Sequence, residues 1–359
     1  MLTRQKSYWV FSISLLFLTI IAKIFFLTGS VFNLDYGLFH PDGMLYSFKS
    51  LTFLGYSQNL AGSEVSMFYL DNAVGNPEIS PQSLFFENNS NWSVFQFRIL
   101  YPFLSAPFVY FFGLWGMLVL PIASFVTLWS FATLKLRQNQ NLGIVVLLVL
   151  SGSTTVSRWM FSNTSDPLLV GMFTIYIWLM PKLMSYSRFV FMLVTASFVI
   201  ATGLTRFSLL LWFGIALYFL LVKDRITAFG VATFAIIAFL PNLFVNFSGA
   251  FLPTYGASPW YEKLIRFPLS LIRMQTVEVG QLFVLDRIFL VALCFVFWLA
   301  LRNFRNPSSI LLLMVTFSLI FTSSLNGVLG VNFRYHLPLL PFAVAFLAQI
   351  QDKLLRFSK

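Results

Sequence analysis

This sequence predicts an all-α, polytopic membrane helical bundle of about ten transmembrane helices, on three observations. Of its 359 residues, 58% are hydrophobic and only 10% are charged, whereas a water-soluble chain of that length needs far more charge to cover its surface. The mean hydropathy is +0.82. The apolar residues fall in repeated stretches of about 18–22, enough to cross a hydrocarbon core of ~30 Å. Soluble enzymes, nucleic-acid modules and disulfide-stapled secreted domains are excluded at this step, and Cys294 is the single cysteine.

The net charge of +11 reads as the accumulation of Lys and Arg on the cytoplasmic side of membrane proteins, not as a nucleic-acid footprint. The first apolar stretch, Tyr8 to Thr28, follows Arg4 and Lys6 and is expected to be an uncleaved signal anchor. After it comes a polar region from Ser30 to Phe97 that holds Asp35, Asp42, Glu64, Asp71, Glu78 and Glu87 against one Lys49. The segment Arg98 to Gly113 either spans or lies on the surface. If it spans, Lys135 and Arg137 land outside and the later loops invert. If it lies on the surface, Lys135/Arg137, Lys182/Arg188, Lys223/Arg225, Arg302/Arg305 and Lys353/Arg356/Lys359 all face the cytoplasm with Arg4 and Lys6. Pro102 and Pro107 also suit a bent interfacial segment.

The expected topology is therefore one integral-membrane domain, 1–359, with both ends cytoplasmic and spans near 8–28, 115–134, 142–160, 166–181, 189–205, 207–222, 226–246, 284–301, 308–325 and 335–350. The first extracytoplasmic loop, 30–114, carries amphipathic interfacial helices. A second occupies 247–283.

Ionisable residues at a membrane are costly and suspect by default. In a helix beginning at Pro41 or Asp42, Asp42, Tyr46 and Lys49 share one face and Leu45, Phe48 and Thr52 another, the pattern of a short helix lying in the interface. Asp42 has an ordinary reading as an N-cap. Asp166, in Ser165-Asp166-Pro167, has the same one. Arg206, in Thr205-Arg206, stands where one span ends and the next begins, and an arginine there can simply snorkel. Arg334 and His336, in Asn332-Phe333-Arg334-Tyr335-His336, open the last span; Arg334 offers a planar fork of donors for a phosphate, or anchors at the interface with Tyr335. His40 is the other histidine, and Arg98 is a further basic residue on the same side. There is no P-loop, Rossmann glycine run or His-Glu-x-x-His. Asn-x-Ser sequons begin at Asn88, Asn91, Asn163 and Asn246.

In this order and topology the chain resembles the GT-C glycosyltransferases, the superfamily of protein O-mannosyltransferases and lipid-A aminoarabinose transferases. The resemblance rests on Pro41-Asp42-Gly43-Met44-Leu45-Tyr46 with Leu54-Gly55-Tyr56, and on Leu100-Tyr101-Pro102 through Phe112-Gly113. It continues with Thr164-Ser165-Asp166-Pro167-Leu168-Leu169, Leu204-Thr205-Arg206, and Phe333-Arg334-Tyr335 through Pro338 and Pro341. Gly43 stands where many members carry Glu, and the large soluble C-terminal domain of some members is not expected.

The resemblance implies a GT-C-like fold, a polyprenyl-phosphate-linked sugar as donor and transfer on the outer face, in a bacterial plasma membrane. The acceptor would be a lipid, a glycan or a protein; membrane lipids are partners and nucleic acid is not. A phosphate leaves as an anion and needs no general acid, so the reaction wants one base and several cations. Asp42 is then the base, and Arg206, Arg334 and His336 hold the lipid phosphate. Tyr46, Lys49, Asp166, His40 and Arg98 contact sugar or acceptor. A divalent ion, Mg or Mn, held by Asp42 and Asp166 is the one cofactor to consider. Two other readings are an O-antigen polymerase or ligase, whose large loop usually comes late, and a lipid or glycan transporter, which calls for pseudo-symmetry and paired broken helices that the sequence does not display.

Overall fold

The computed structural model describes residues 2–28, 38–39, 41–72, 98–206, 208–247, 260–326 and 334–357. Among them every regular element is helical: α1 (Leu2–Thr28), α2 (Pro41–Phe53), α3 (Gln58–Asn72), α4 (Leu100–Phe112), a 3-10 turn (Gly113–Leu118), α5 (Val119–Lys135), α6 (Gln140–Gly152) and α7 (Thr154–Met160). There follow α8 (Ser165–Ser185), α9 (Arg188–Thr205), α10 (Leu209–Leu221), α11 (Arg225–Phe247), α12 (Trp260–Leu285), α13 (Arg287–Arg302), α14 (Pro307–Asn326), a second 3-10 turn (Arg334–His336) and α15 (Leu339–Phe357).

Two properties mark a helical membrane protein. Large apolar side chains stand exposed along whole helix faces, as Val10, Ile13, Phe17, Ile21 and Phe25 do on α1, a surface that lipid rather than water must cover. Helices also meet at small residues: Gly171 of α8 lies against Ser124 of α5, and Gly214 of α10 against Ser318 and the Met314 carbonyl of α14. Where burial gives no hydrophobic drive, close backbone approach is what such contacts supply. Polar side chains inside pair across helices, which stands in for the water that a bilayer lacks. The Trp129 indole donates to Ser12 Oγ at 3.0 Å, and Trp212 to Thr202 Oγ1 at 2.7 Å.

The core is aromatic and centred on α8. Phe173 packs on Trp212 of α10 and on Phe342 of α15, with ring centres 5.3 and 5.9 Å apart. Tyr176 meets the same Trp212 at 5.1 Å.

The helices agree with the expected bundle in class and differ from it in local detail. Five helical segments among the described residues are long and apolar enough to cross a bilayer, six if α6 and α7 form one bent span, against the ten expected. Of the other expected spans, α10 is short: its 13 residues rise only ~20 Å against a core of ~30 Å. The expected span 142–160 is broken, α6 and α7 meeting at 65°. The expected loop 247–283 is helical from Trp260 onward, and Met274, Glu278 and Leu282, four residues apart, give α12 a buried face.

Residues 100–135 form one apolar run of 36, which as a straight rod would reach ~54 Å. It turns instead: Gly113 has φ of 59°, and Gly116 lies so close to the Phe108 carbonyl that no Cβ fits there. Finally, α2 is not a helix half immersed at an interface. Gly43 through Leu51 are all buried, because α3 and α4 pack on it and cover the face that the sequence left polar.

Candidate functional site

Four charged side chains from four separate segments form one alternating chain. Asp42 lies in the first turn of α2 and Asp166 in the first turn of α8, where helix N-termini favour anions. Arg206 follows the last residue of α9, its backbone fully extended. Arg334 opens the 3-10 turn before α15. Arg334 donates through Nη1 to Asp42 Oδ2 at 2.7 Å and through Nε to Asp166 Oδ2 at 2.7 Å. The other Asp166 oxygen, Oδ1, takes the Arg206 guanidinium.

These contacts replace the ordinary readings of each residue. Asp166 is no helix cap, since both its oxygens face arginines. Arg206 and Arg334 neither snorkel nor anchor; they are 6% and 5% exposed. Each guanidinium also stacks on a ring, Arg206 at 4.7 Å from the Tyr335 centre and Arg334 at 4.7 Å from the Trp159 centre. Flat, delocalised cations suit such a sandwich of carboxylates and rings better than ammonium groups do. The Asp42 side chain is the open member, at 34% exposure.

The scaffold beneath is polar and dry. Residues 159–171 are buried without a gap, and the Asn163 backbone N–H donates to the Leu38 carbonyl at 3.0 Å, tying the approach to α2 against the approach to α8. Tyr46 shares a hydrogen bond with Ser165 Oγ at 2.9 Å and accepts from Arg98 Nη1 at 3.4 Å. The Asn163 amide donates to Tyr69, whose phenol is pushed up by burial and stays protonated. Lys49, two turns on from Asp42, is buried; that burial, with Arg98 nearby, pulls its ammonium down to about 8.

His336 pairs with an acid from a separate helix. Its Nε2 meets Glu278 Oε2 of α12 at 2.6 Å, both side chains all but sealed off. Glu278 escaped the sequence reading; its signal was the stripe Gln275, Glu278 and Gln281, polar at every third position of an otherwise amphipathic helix. Trp159 and Asn163 gave no signal. The buried Asn163 also cannot serve as a glycan acceptor, despite its sequon. His40 lies outside the described residues, as do Asn88 and Asn91.

A third buried acid, Asp286, explains the break between α6 and α7. Its Oδ2 accepts from Ser153 Oγ at 2.6 Å and from the Thr155 backbone N–H at 2.8 Å, and its Oδ1 caps α13 at Phe289, 3.1 Å away. One carboxylate thus serves two helix N-termini.

Asp42 and Asp166 do not fit a divalent ion as they stand. Two guanidinium groups already occupy both Asp166 oxygens and one of Asp42, and a metal there would face two fixed cations. Among the described residues no three His, Cys, Asp or Glu side chains gather as a metal site. Compared with family models, with curated proteins and with solved structures, the chain finds no match.

Proposed function

We propose that this chain is an inverting glycosyltransferase of GT-C type that moves a sugar from a polyprenyl-phosphate donor to a lipid, glycan or protein acceptor at the extracytoplasmic face. The observation that supports it most is the convergence of Asp42, Arg334, Asp166 and Arg206 at one end of the helical bundle. In the charge-derived topology those four segments all lie on the outer side, and the chain sits in a bacterial plasma membrane with about ten crossings.

The chemistry follows from the residues. An acceptor hydroxyl attacks the anomeric carbon from the side opposite the phosphate. The new C–O bond forms as the bond from that carbon to the phosphate oxygen breaks, and the hydroxyl proton passes to the Asp42 carboxylate. The lipid phosphate departs with its bonding pair and meets Arg334 and Arg206, buried and fixed donors. Asp166 keeps both arginines aimed. Arg98, Tyr46 and Lys49 line the neighbouring side and orient sugar or acceptor.

A transporter is the second reading, and the break at Ser153 is the observation in its favour, because discontinuous helices often end at substrate sites. Here, though, the helix N-terminus that the break exposes is occupied by Asp286.

The test uses the protein in lipid nanodiscs, wild type beside Asp42→Asn, with a panel of radiolabelled polyprenyl-phosphate sugars and mixed glycan acceptors. Donor binding by both forms with turnover in the wild type alone is the expected result. Full turnover by a folded Asp42→Asn protein removes the base assignment, and binding of no such lipid removes the donor class.

A further inference from the structure

We propose that Arg334 holds the base in reserve, exchanging Asp42 for the phosphate of the donor, so that donor binding must come before acceptor activation. This deepens the reading of Asp42 as base and of the arginines as phosphate ligands, and rests on it.

Three observations carry the exchange. First, Asp42 Oδ2 is held by Arg334 Nη1 at 2.7 Å, so this oxygen points at the guanidinium and not at an acceptor hydroxyl. Second, the members of the chain differ in freedom. Arg334 and Asp166 are buried to the same degree, at 5% and 4% side-chain exposure, while Asp42 stands at 34%. The contact to Asp166 is therefore the fixed one and that to Asp42 the exchangeable one. Arg334 Nη2, moreover, is buried without a hydrogen-bond partner among the described residues. A phosphate that displaces Asp42 from Nη1 meets two adjacent donors, the fork that a tetrahedral oxyanion accepts in pairs.

Third, the charges balance only at rest. Two carboxylates and two guanidinium groups make the four-membered chain neutral, a poor host for a further anion. Releasing Asp42 towards solvent leaves two cations against Asp166 alone, which matches a single phosphate charge. The same movement frees Oδ2 for the acceptor proton. Arg334 is thus a positioning residue for the base as well as a ligand for the leaving group.

The distinguishing measurement is carbodiimide labelling of Asp42 in the wild-type protein in nanodiscs, read by peptide mass spectrometry, with and without a polyprenyl monophosphate. A ligand normally shields nearby carboxylates. Here labelling should rise, roughly two- to fivefold, the range that a partly exposed ion pair sets. Asp42→Asn should bind the same lipid tighter by a similar factor, because the competing anion is gone. Inorganic phosphate runs in parallel, and a rise with it alone supports the exchange while removing the need for the lipid. Unchanged or reduced labelling with the lipid demonstrably bound overturns the exchange and leaves the donor class standing. If the wild type binds neither probe, donor class and exchange fall together.

Discussion

The Asn163 carboxamide fills the space over Gly43 that any side chain at position 43 would need, and it donates to Tyr69 from there. Gly43 is therefore a packing residue, one step along α2 from the proposed base. The structure leaves no room for any larger side chain at this position. Gly43→Ala is expected to cost about 1–3 kcal/mol through overpacking of a dry contact and to displace Asp42 from Arg334. Thermal unfolding in detergent and transfer rate should fall together, and Gly43→Ala with Asn163→Ser should recover part of the loss. A fully stable, fully active Gly43→Ala protein would contradict this packing.

Much of the site was legible residue by residue, and little of its connectivity. Asp42, Asp166, Arg206 and Arg334 each stand at the edge of an apolar stretch, where an ionisable side chain has a reason to be noticed. Their positions in the chain span nearly 300 residues, so nothing local says that Arg334 bonds two of the others. The burial of α2 was hidden for a related reason. Asp42, Tyr46 and Lys49 make a polar face that looks solvated until α3, α4 and the turn before α8 close over it. The break at Ser153 was illegible because a serine in an apolar run carries no signal until Asp286 is brought against it from 133 residues away.

Asp166 is the member whose loss should cost most. Removing its charge leaves Arg206 and Arg334 buried against each other, with Arg206 deprived of its carboxylate. Asp166→Asn is expected to destabilise by about 3–5 kcal/mol, as one-sided removal from a buried ion cluster does. The double variant Asp166→Asn with Arg206→Gln should be less damaged than the two single losses added together, because the unpaired cation goes with its partner. Urea or thermal unfolding in nanodiscs measures this, and strict additivity would mean that the contact is not formed.

Glu278 should act on the site only through His336, which shares the 3-10 turn with Arg334. With Glu278 Oε2 at 2.6 Å from Nε2, the imidazole is oriented by the carboxylate, as a ring held by a carboxylate usually is. Glu278→Ala removes this contact, whereas Glu278→Gln keeps a hydrogen-bonding partner for the ring. The expected outcome is a raised donor KM for Glu278→Ala, with most of the wild-type value kept by Glu278→Gln. Equal KM in all three proteins would make the pair a packing feature alone.

Lys49 gives the fold a dependence on alkaline pH. Its folded pKa of about 8 lies below the 10.5 of a solvated lysine, so between those values the unfolded chain binds more protons than the folded one. Stability therefore rises as pH increases from about 8 towards 10.5, and the deficit is fully present below 8. Lys49→Met should abolish this rise and leave the protein more stable at pH 7 than the wild type, since the buried cation is gone and its stem is replaced. Melting temperatures at pH 7, 8.5 and 10 for both proteins provide the check. A wild-type melting temperature that stays flat across that range, or a Lys49→Met protein that rises with it, would remove Lys49 as the titrating group.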